Sequence, residues 1–343
     1  MVPALEQLRE LSHSPFPPEP PRRSRLVDAL YALAERRGHT GLRTPHLHGG
    51  SDVEKVMYEY ERDGDLWEVC ASMVSPSILS DQDVIDVGCG WGGKTVRYAE
   101  TLGLRSIIGV DLPGMYDPAA PAAFARERGV GNCAFLTGTA EQLEFAGESF
   151  GVAILDDVFE HVRDPAAVMA ECLRVLRPGG SLILRFPSIR MLWAHHLDRV
   201  FTYPGLHYLL PFRTWASGLN YKLLDGSAEA GFEPFDEVTA TPFRTPFGRP
   251  VTRNLNGQAF ADFENIVADS GFETVSLQIV PMGFGPSLLS RVARLVYNGL
   301  RPLPGMAEAL GVTIAFVGRK PASDAAPPRR TPDMSPRLSS EQV

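Results

Sequence analysis

The sequence predicts an α/β fold built on a doubly wound sheet, and three observations carry that expectation. Between Asp83 and Pro187, short runs rich in Val, Ile and Leu alternate with longer segments of helical character. The first run, "VIDVGCGWGG" at 84–93, passes directly into Gly88, Gly90 and Gly93, a spacing that suits a strand-to-helix turn around a nucleotide-like ligand. Acids stand at or near the ends of several runs: Asp86, Asp111 and the pair Asp156–Asp157.

The elements follow in order. Residues 13–23, "HSPFPPEPPRR", are too proline-dense for helix or strand and are expected to be extended and mobile. Arg25 to Arg37 reads as a helix closed by Gly38. A second helical run, Asp52 to Cys70, follows "HGGSD", where Ser51 or Asp52 can cap. From Asp83 the alternation runs strand "VIDVG", helix "GKTVRYAETLG", strand "SIIGVD", helix "PAAFARERG", strand "CAFLTG", a short acidic helix or turn "AEQLEF" and strand "FGVAILDD". Helix "PAAVMAECLRVLR" and strand "GSLILRFP" complete it. Right-handed crossovers place the carboxyl ends of these strands on one common edge.

After Pro187 the rhythm stops. Residues 188–256 are rich in aromatics, His and Pro, and read as an insertion over the strand ends with helices of its own. Helix "GQAFADFENIVADSG", strand "FETVSLQIV" and strand "VTIAFVGRK" then restore order. The organisation expected is a disordered stretch 1–24, a helical cap 25–80, a core 81–187, an insertion or lid 188–256, the rest of the core 257–320 and a disordered tail 321–343.

Composition narrows the function classes. The chain has 343 residues, 44% hydrophobic and 22% charged, ordinary values for a soluble globular protein. A net charge of −8 disfavours a broad nucleic-acid surface. No apolar run is long enough to span a membrane, and the N-terminus lacks a secretory pattern. The four cysteines are scattered without a C-x-x-C pair, as free thiols in a reducing cytoplasm would be. A cytoplasmic location is therefore expected.

Three readings compete for the glycine loop: a turn without a ligand, a dinucleotide site, or a site for S-adenosylmethionine. A pyrophosphate profits from helix N-termini and cations, whereas a sulfonium and an α-amino group are favoured by acids. The acids at the strand ends, with Glu141 after the third strand, lean towards the sulfonium. Asp111 stands at the distance from the glycines expected of an acid that grips a ribose, which suits either cofactor.

Beyond the loop, the sequence resembles the class I S-adenosylmethionine-dependent methyltransferases, in particular the "type 11" small-molecule group. "VIDVGCGWGG" is similar to their first motif and "IIGVDLPG" to the next block. "FLTGTAEQLEFAGESFGVAILDDVFEHVRDP" is similar to the adenine-side and fourth-strand motifs, and "CLRVLRPGGSLILRFPS" to the helix, Pro-Gly-Gly turn and fifth strand. The resemblance covers about residues 83–188. It implies a Rossmann-like sheet of about seven strands, the last antiparallel, with helices on both faces. It further implies that Asp86, Gly88, Cys89, Gly90 and Trp91 line the methionine and adenosyl portion of the cofactor, with Asp156 at the fourth strand's end. Asp111 and Leu112 would hold the ribose and flank the adenine. Family members often carry an aspartate where this chain has Thr139, so the adenine contact falls to the Thr139 hydroxyl, to backbone of the Thr139–Ala140 turn, or to Glu141.

Methyl transfer is an in-line displacement in which alignment supplies much of the catalysis, and a hydroxyl acceptor also needs its proton removed. His161 in "FEHV" is one candidate base, with a bracing role as the plain alternative; Asp157 is a second candidate for contact with acceptor or cofactor. The insertion offers His195, His196 and His207 with Tyr203. These histidines are candidates for a base or a metal ligand, and Asp156 and Asp157 for holding magnesium, but adjacent acids point to opposite sides of a strand and no metal is expected. Trp193, Phe201, Tyr208, Leu209, Leu210, Phe212 and Trp215 read as a buried cap, a pocket wall for an apolar acceptor, or a membrane-surface patch. The expected function is methyl transfer from S-adenosylmethionine to a small molecule, a hydroxyl of a sugar, lipid or secondary metabolite. Alternatives are an N- or C-acceptor, a degenerate cofactor-binding protein, and an NAD-dependent oxidoreductase. The expected partners are the small-molecule acceptor and, as an open question, a second subunit; neither nucleic acid nor integral membrane association is expected.

Overall fold

The computed structural model describes residues 2–11, 17–37, 54–55, 58–59, 73–113, 117–192, 194, 204–227, 243–244, 250–251, 255–282 and 288–322. The helices are α1 (Val2–Leu11), α2 (Arg25–Arg36), α3 (Gly93–Thr101), α4 (Ala119–Glu127), α5 (Pro165–Val175), α6 (Leu206–Leu209), α7 (Phe212–Leu224), α8 (Phe260–Asp269), α9 (Leu288–Leu300) and α10 (Met306–Ala309). The strands are β1 (Asp83–Val87), β2 (Ser106–Asp111), β3 (Cys133–Thr137), β4 (Phe150–Asp156), β5 (Leu176–Phe186), β6 (Phe243–Arg244), β7 (Pro250–Val251), β8 (Glu273–Pro281) and β9 (Gly311–Arg319). Seven of them form one sheet in the order β3-β2-β1-β4-β5-β9-β8, while β6 and β7 pair separately.

Parallel pairing joins β1, β2, β3, β4 and β5, and β9 runs antiparallel to both β5 and β8. The doubly wound Rossmann-like sheet of seven strands with an antiparallel last strand is thus the observed fold. The order in which successive strands are added reverses between the parallel neighbours β1 and β4: β2 and β3 lie to one side, β5 to the other. A crevice outside the carboxyl ends at that point is where open α/β sheets bind ligands.

Strand alternation sorts the side chains into two layers. Ile85, Val87, Ala153, Leu155, Leu182 and Leu184 pack with α5 and α8, whereas Val84, Val152, Ile154 and Ile183 pack with Tyr98 and Ala99 of α3. Asp86, Asp156 and Arg185 continue the α3-facing series, which is why three charged side chains meet on that face. The other layer centres on Phe159, Phe186, Phe263 and Phe316, all fully buried, with ring centroids 4.9 Å apart for Phe186–Phe263 and 5.6 Å for Phe263–Phe316. At the amino end of the sheet, buried Asp83 accepts from Arg105 and Arg177, each at 2.8 Å, and from the Ser106 hydroxyl. That cluster ties β1, β2 and β5 together away from the crevice.

Local sequence sets the helix ends. Asp164 caps α5 by accepting from the Ala167 N–H at 3.0 Å, and Pro165 opens the helix. Ser24 caps α2 through the Val27 N–H. Within residues 1–24, expected to be disordered, a helix and a packed extended stretch are described. Residues 2–11 are helical with Leu8 buried, and the extended stretch from Pro17 lies along α7. There the buried Glu19 pairs with Arg213, Asn220 donates to the Glu19 carbonyl at 3.0 Å, and the Arg22 N–H donates to the Ser217 carbonyl. Prolines lack N–H groups, so polar side chains of a neighbouring helix satisfy this extended segment's carbonyls instead. Of the helix expected over Asp52–Cys70, the pairs 54–55 and 58–59 are described and helical, and the rest lies outside the described residues, as does the tail from residue 323. Helix α9 corresponds to no element expected from the sequence.

Phe263→Ala should remove the ring shared by the aromatic cluster and cost about 3–5 kcal/mol, read as a lowered urea midpoint at unchanged slope. A loss under about 1 kcal/mol would show that the cluster is not the centre of the core.

Candidate functional site

The turn after β1 is built from the backbone outwards. Gly88, Gly90 and Gly92 all have positive φ, +77°, +57° and +77°, the left-handed region that favours glycine. A Cβ at Gly88 would lie 2.2 Å from Val158 Cγ2, and one at Gly92 would lie 2.5 Å from Pro121 Cβ. Gly90 differs, because a Cβ there would meet nothing within 4 Å. Two glycines therefore seal the turn against the protein, and the middle one faces open space. Gly93, the third glycine of the sequence pattern, instead begins α3.

Asp111, the last residue of β2, fixes that turn. Its Oδ2 accepts from the Gly90 N–H at 2.6 Å and its Oδ1 from the Leu112 N–H at 2.7 Å. Burial raises its pKa, and the two N–H groups oppose that rise. Each carboxylate oxygen keeps a further lone pair, so the group can still accept from a vicinal diol lying over Gly90. Cys89 is buried beneath the turn with Tyr58, Val96, Ala125 and Phe135, a packing role. Trp91 is partly buried beside it.

The loop after β3 continues the same wall. Thr139 Oγ1 donates to Glu141 Oε2 at 2.6 Å and accepts from the Glu141 N–H, while Glu141 Oε1 accepts from the Arg163 N–H at 2.9 Å. The Thr139 hydroxyl is therefore committed within its own turn, leaving backbone or Glu141 to meet an adenine. Ala140 packs against the core. Glu141 also bridges this loop to the one after β4.

On the α3 face, Asp86 is buried and accepts from the Thr95 hydroxyl at 2.6 Å. Burial, partly offset by Thr95, pushes its carboxyl up to about 7. Asp156, also buried, sits between Lys94 Nζ at 2.5 Å and Arg185 Nε. Burial alone would raise the Asp156 pKa, but the charges of Arg185 and Lys94 outweigh it and hold the group ionised, well below the usual carboxylate range. Counting acids along the sequence thus overstates the negative charge of this rim: one acid is near its titration midpoint at neutral pH and another is balanced by two cations.

Asp157 follows with φ +57°, a strained backbone of the kind that collects at functional sites. Its half-exposed carboxylate lies 3.5 Å from Arg185. Glu160 is buried, and burial followed by the Asp157 charge raises its pKa well above the carboxylate range. His161 is about one-third exposed, with Nε2 3.7 Å from Glu160 Oε1. Asn256, from the end of the insertion, fixes this loop: its side chain donates to the Phe159 and Val162 carbonyls and its N–H donates to the Glu160 carbonyl. His195, His196, Trp193, Phe201 and Tyr203 lie outside the described residues. His207 is buried with Nε2 2.9 Å from the Ile189 carbonyl oxygen, and Trp215 is fully buried, so both pack the fold. Among the described residues, no group of three or more His, Cys, Asp or Glu is placed to hold a metal ion.

Lys94, Arg185, Thr95 and Asn256 are the site residues that sequence reading passed over. The legible signal was a charge where none belongs: a lysine opening a helix and an arginine inside "LILRF".

Arg185→Met should leave the buried Asp156 short of a cation and cost roughly 3–5 kcal/mol in urea unfolding; an unchanged midpoint would mean that Lys94 alone suffices. For Asp86, the folded pKa of about 7 lies above the ordinary value of 3.8. Its contribution to stability is therefore fully present below pH about 4 and is lost as pH rises through about 7. Asp86→Asn should remove that loss, at most about 4 kcal/mol, so the wild type should weaken relative to the variant between about pH 4 and pH 7. Parallel stability curves would contradict the burial account.

A family model described as a methyltransferase domain matches residues 85–184. The ubiquinone biosynthesis O-methyltransferase of Parvibaculum lavamentivorans is 33% identical over 216 residues, covering 61% of this chain and 81% of that protein. An uncharacterized methyltransferase of Schizosaccharomyces pombe is 29% identical over 118 residues, covering 33% of this chain and 42% of that one. The chain thus spans less than half the length of the yeast relative. A solved S-adenosylmethionine-dependent methyltransferase of Methanosarcina mazei aligns at 19% identity with a TM-score of 0.45, over 76% of this chain and 100% of that one. With the matched domain running from β1 into β5, and a relative aligned over 81% of its own length, the chain belongs to the S-adenosylmethionine-dependent methyltransferase family.

Proposed function

We propose that the protein methylates a hydroxyl group of a small organic acceptor, with S-adenosylmethionine as donor. The observation that supports this most is the join of two features at one sheet end: a ribose-ready carboxylate over an open glycine, and an imidazole beside a buried carboxyl on the next loop but one. The P. lavamentivorans relative, named for O-methylation in ubiquinone biosynthesis, favours an oxygen acceptor.

The cofactor, when bound, supplies an electrophilic methyl carbon on a sulfonium. This chain's residues would do the rest. Asp111 would accept from both ribose hydroxyls while its other lone pairs keep Gly90 in place. Gly88, Gly90, Cys89 and Trp91 would shape the adenosyl and methionine channel, with Leu112 flanking the adenine. Glu141 and the backbone of Thr139–Ala140 would meet the adenine edge. Asp86 and Asp156 would set the field around the methionine portion, where an ionised Asp86 favours a cation. Asp157 lies at the rim, where an α-amino group or the acceptor can reach it. His161 would take the acceptor proton at Nδ1, with Glu160 Oε1 3.7 Å from Nε2 on the other side of the ring. His195 and His196 remain further candidates for that step.

Asp111→Ala should weaken donor binding about 100- to 10,000-fold, the loss of two charge-assisted hydrogen bonds, measured by calorimetry; unchanged affinity would show that ribose is gripped elsewhere. His161→Asn should lower turnover on a hydroxyl acceptor roughly a hundredfold or more while donor affinity holds. To find the acceptor, the protein is incubated with methyl-labelled donor and metabolite extracts, and labelled products are identified by mass spectrometry. A methyl ether is the expected product; label on nitrogen or carbon would overturn the oxygen assignment.

A further inference from the structure

Helix α9 presents its apolar side to the outside. Leu288 is 77% exposed, Val292 50%, Leu295 71% and Val296 46%. Spaced i, i+4, i+7 and i+8, these four residues form one stripe. Tyr297, on the opposite side of the helix, is buried and anchors it to the body. Leu303, just beyond the helix end, is 54% exposed and extends the apolar surface. A globular protein normally turns such a stripe inward, and contiguous apolar surface of this kind marks an interaction site.

Charge identifies the occupant. Arg291, Arg294 and Arg301 are exposed on or beside the same helix, and from Thr274 to Ala307 the chain carries no Asp or Glu. A protein of net charge −8 has here an acid-free run in which Arg291 borders the apolar stripe and Arg294 and Arg301 stand further round the same helix end. An amphipathic helix of that make-up lies in the plane of a lipid interface, its apolar side among the acyl chains and its arginines among anionic headgroups. Long arginine side chains reach headgroup level while their stems cover apolar surface. No helix among the described residues is long and apolar enough to cross a membrane, so the contact would be peripheral.

We propose that α9 docks the protein reversibly on anionic phospholipid surfaces. This inference goes beyond the methyl-transfer reading and does not depend on it, because the measurement below reads binding and not activity. The full chain is floated with vesicles of phosphatidylcholine alone and of phosphatidylcholine containing phosphatidylglycerol, at low and high salt. Two variants accompany it: Leu288→Glu with Leu295→Glu, and Arg291→Glu with Arg301→Glu. All four positions are exposed, so the thermal midpoint should hold and report intact folding. Wild type should bind the phosphatidylglycerol vesicles, at least about tenfold more tightly than the neutral ones, with binding reduced by salt. Either variant should lose at least about tenfold in binding. Absence of wild-type binding to the anionic vesicles would overturn the proposal, as would variants that bind like wild type. A wild-type dimer that becomes monomeric in the leucine variant would also overturn it, since a second copy would then cover the stripe.

Discussion

Asp156 between Lys94 and Arg185 is the interaction on which the carboxyl end of this sheet depends. The strand order brings β1, β4 and β5 side by side, and alternation turns Asp86, Asp156 and Arg185 to the same face. A low-dielectric layer holding only carboxylates there would be strongly unfavourable. Lys94 from the first turn of α3 and Arg185 from β5 supply the compensating charge. Their geometry also fixes where α3 starts, and hence how the glycine turn leads into it. Structure and electrostatics are therefore one constraint at this point, because moving either cation would strand a buried carboxylate.

Around that centre, carboxylates serve as clamps on backbone N–H groups. Asp111 holds Gly90 and Leu112, Glu141 holds Arg163, and Asp164 holds Ala167. Each joins a loop at the carboxyl edge to itself or to the next. The result is a crevice whose walls come from the loops after β1, β2, β3 and β4 and are tied to one another by these hydrogen bonds. Preorganisation of this kind is what an alignment-driven displacement needs. The Asn256 contacts add the end of the insertion to the same frame, so the His161 loop is braced from outside the central sheet.

Much of this was legible in the sequence because it rests on local rules. The β-branched runs, the glycine turn, the Asp-Pro start of α5 and the acid ending β2 each declare themselves within a few residues. What was not legible arises from long-range pairing. Arg185 meets Asp156 only because β5 lies beside β4, and Thr139 is spent on Glu141 only because of how its turn closes. The contacts of the proline-dense N-terminal stretch are hidden for a similar reason: the Glu19 carbonyl accepts from Asn220 of α7, 201 positions away. Helix α9 is the opposite case, a clear local pattern set between the last two strands of the sheet.

The central claim is that this balanced rim and open glycine form a site for an adenosyl sulfonium and not for a pyrophosphate. Calorimetric titration of the intact protein with S-adenosylmethionine, S-adenosylhomocysteine and NAD tests it most directly. Saturable one-site heats with the first two and none with NAD are the predicted result. Saturable NAD binding, with no heat from either adenosyl thioether or sulfonium, would contradict it.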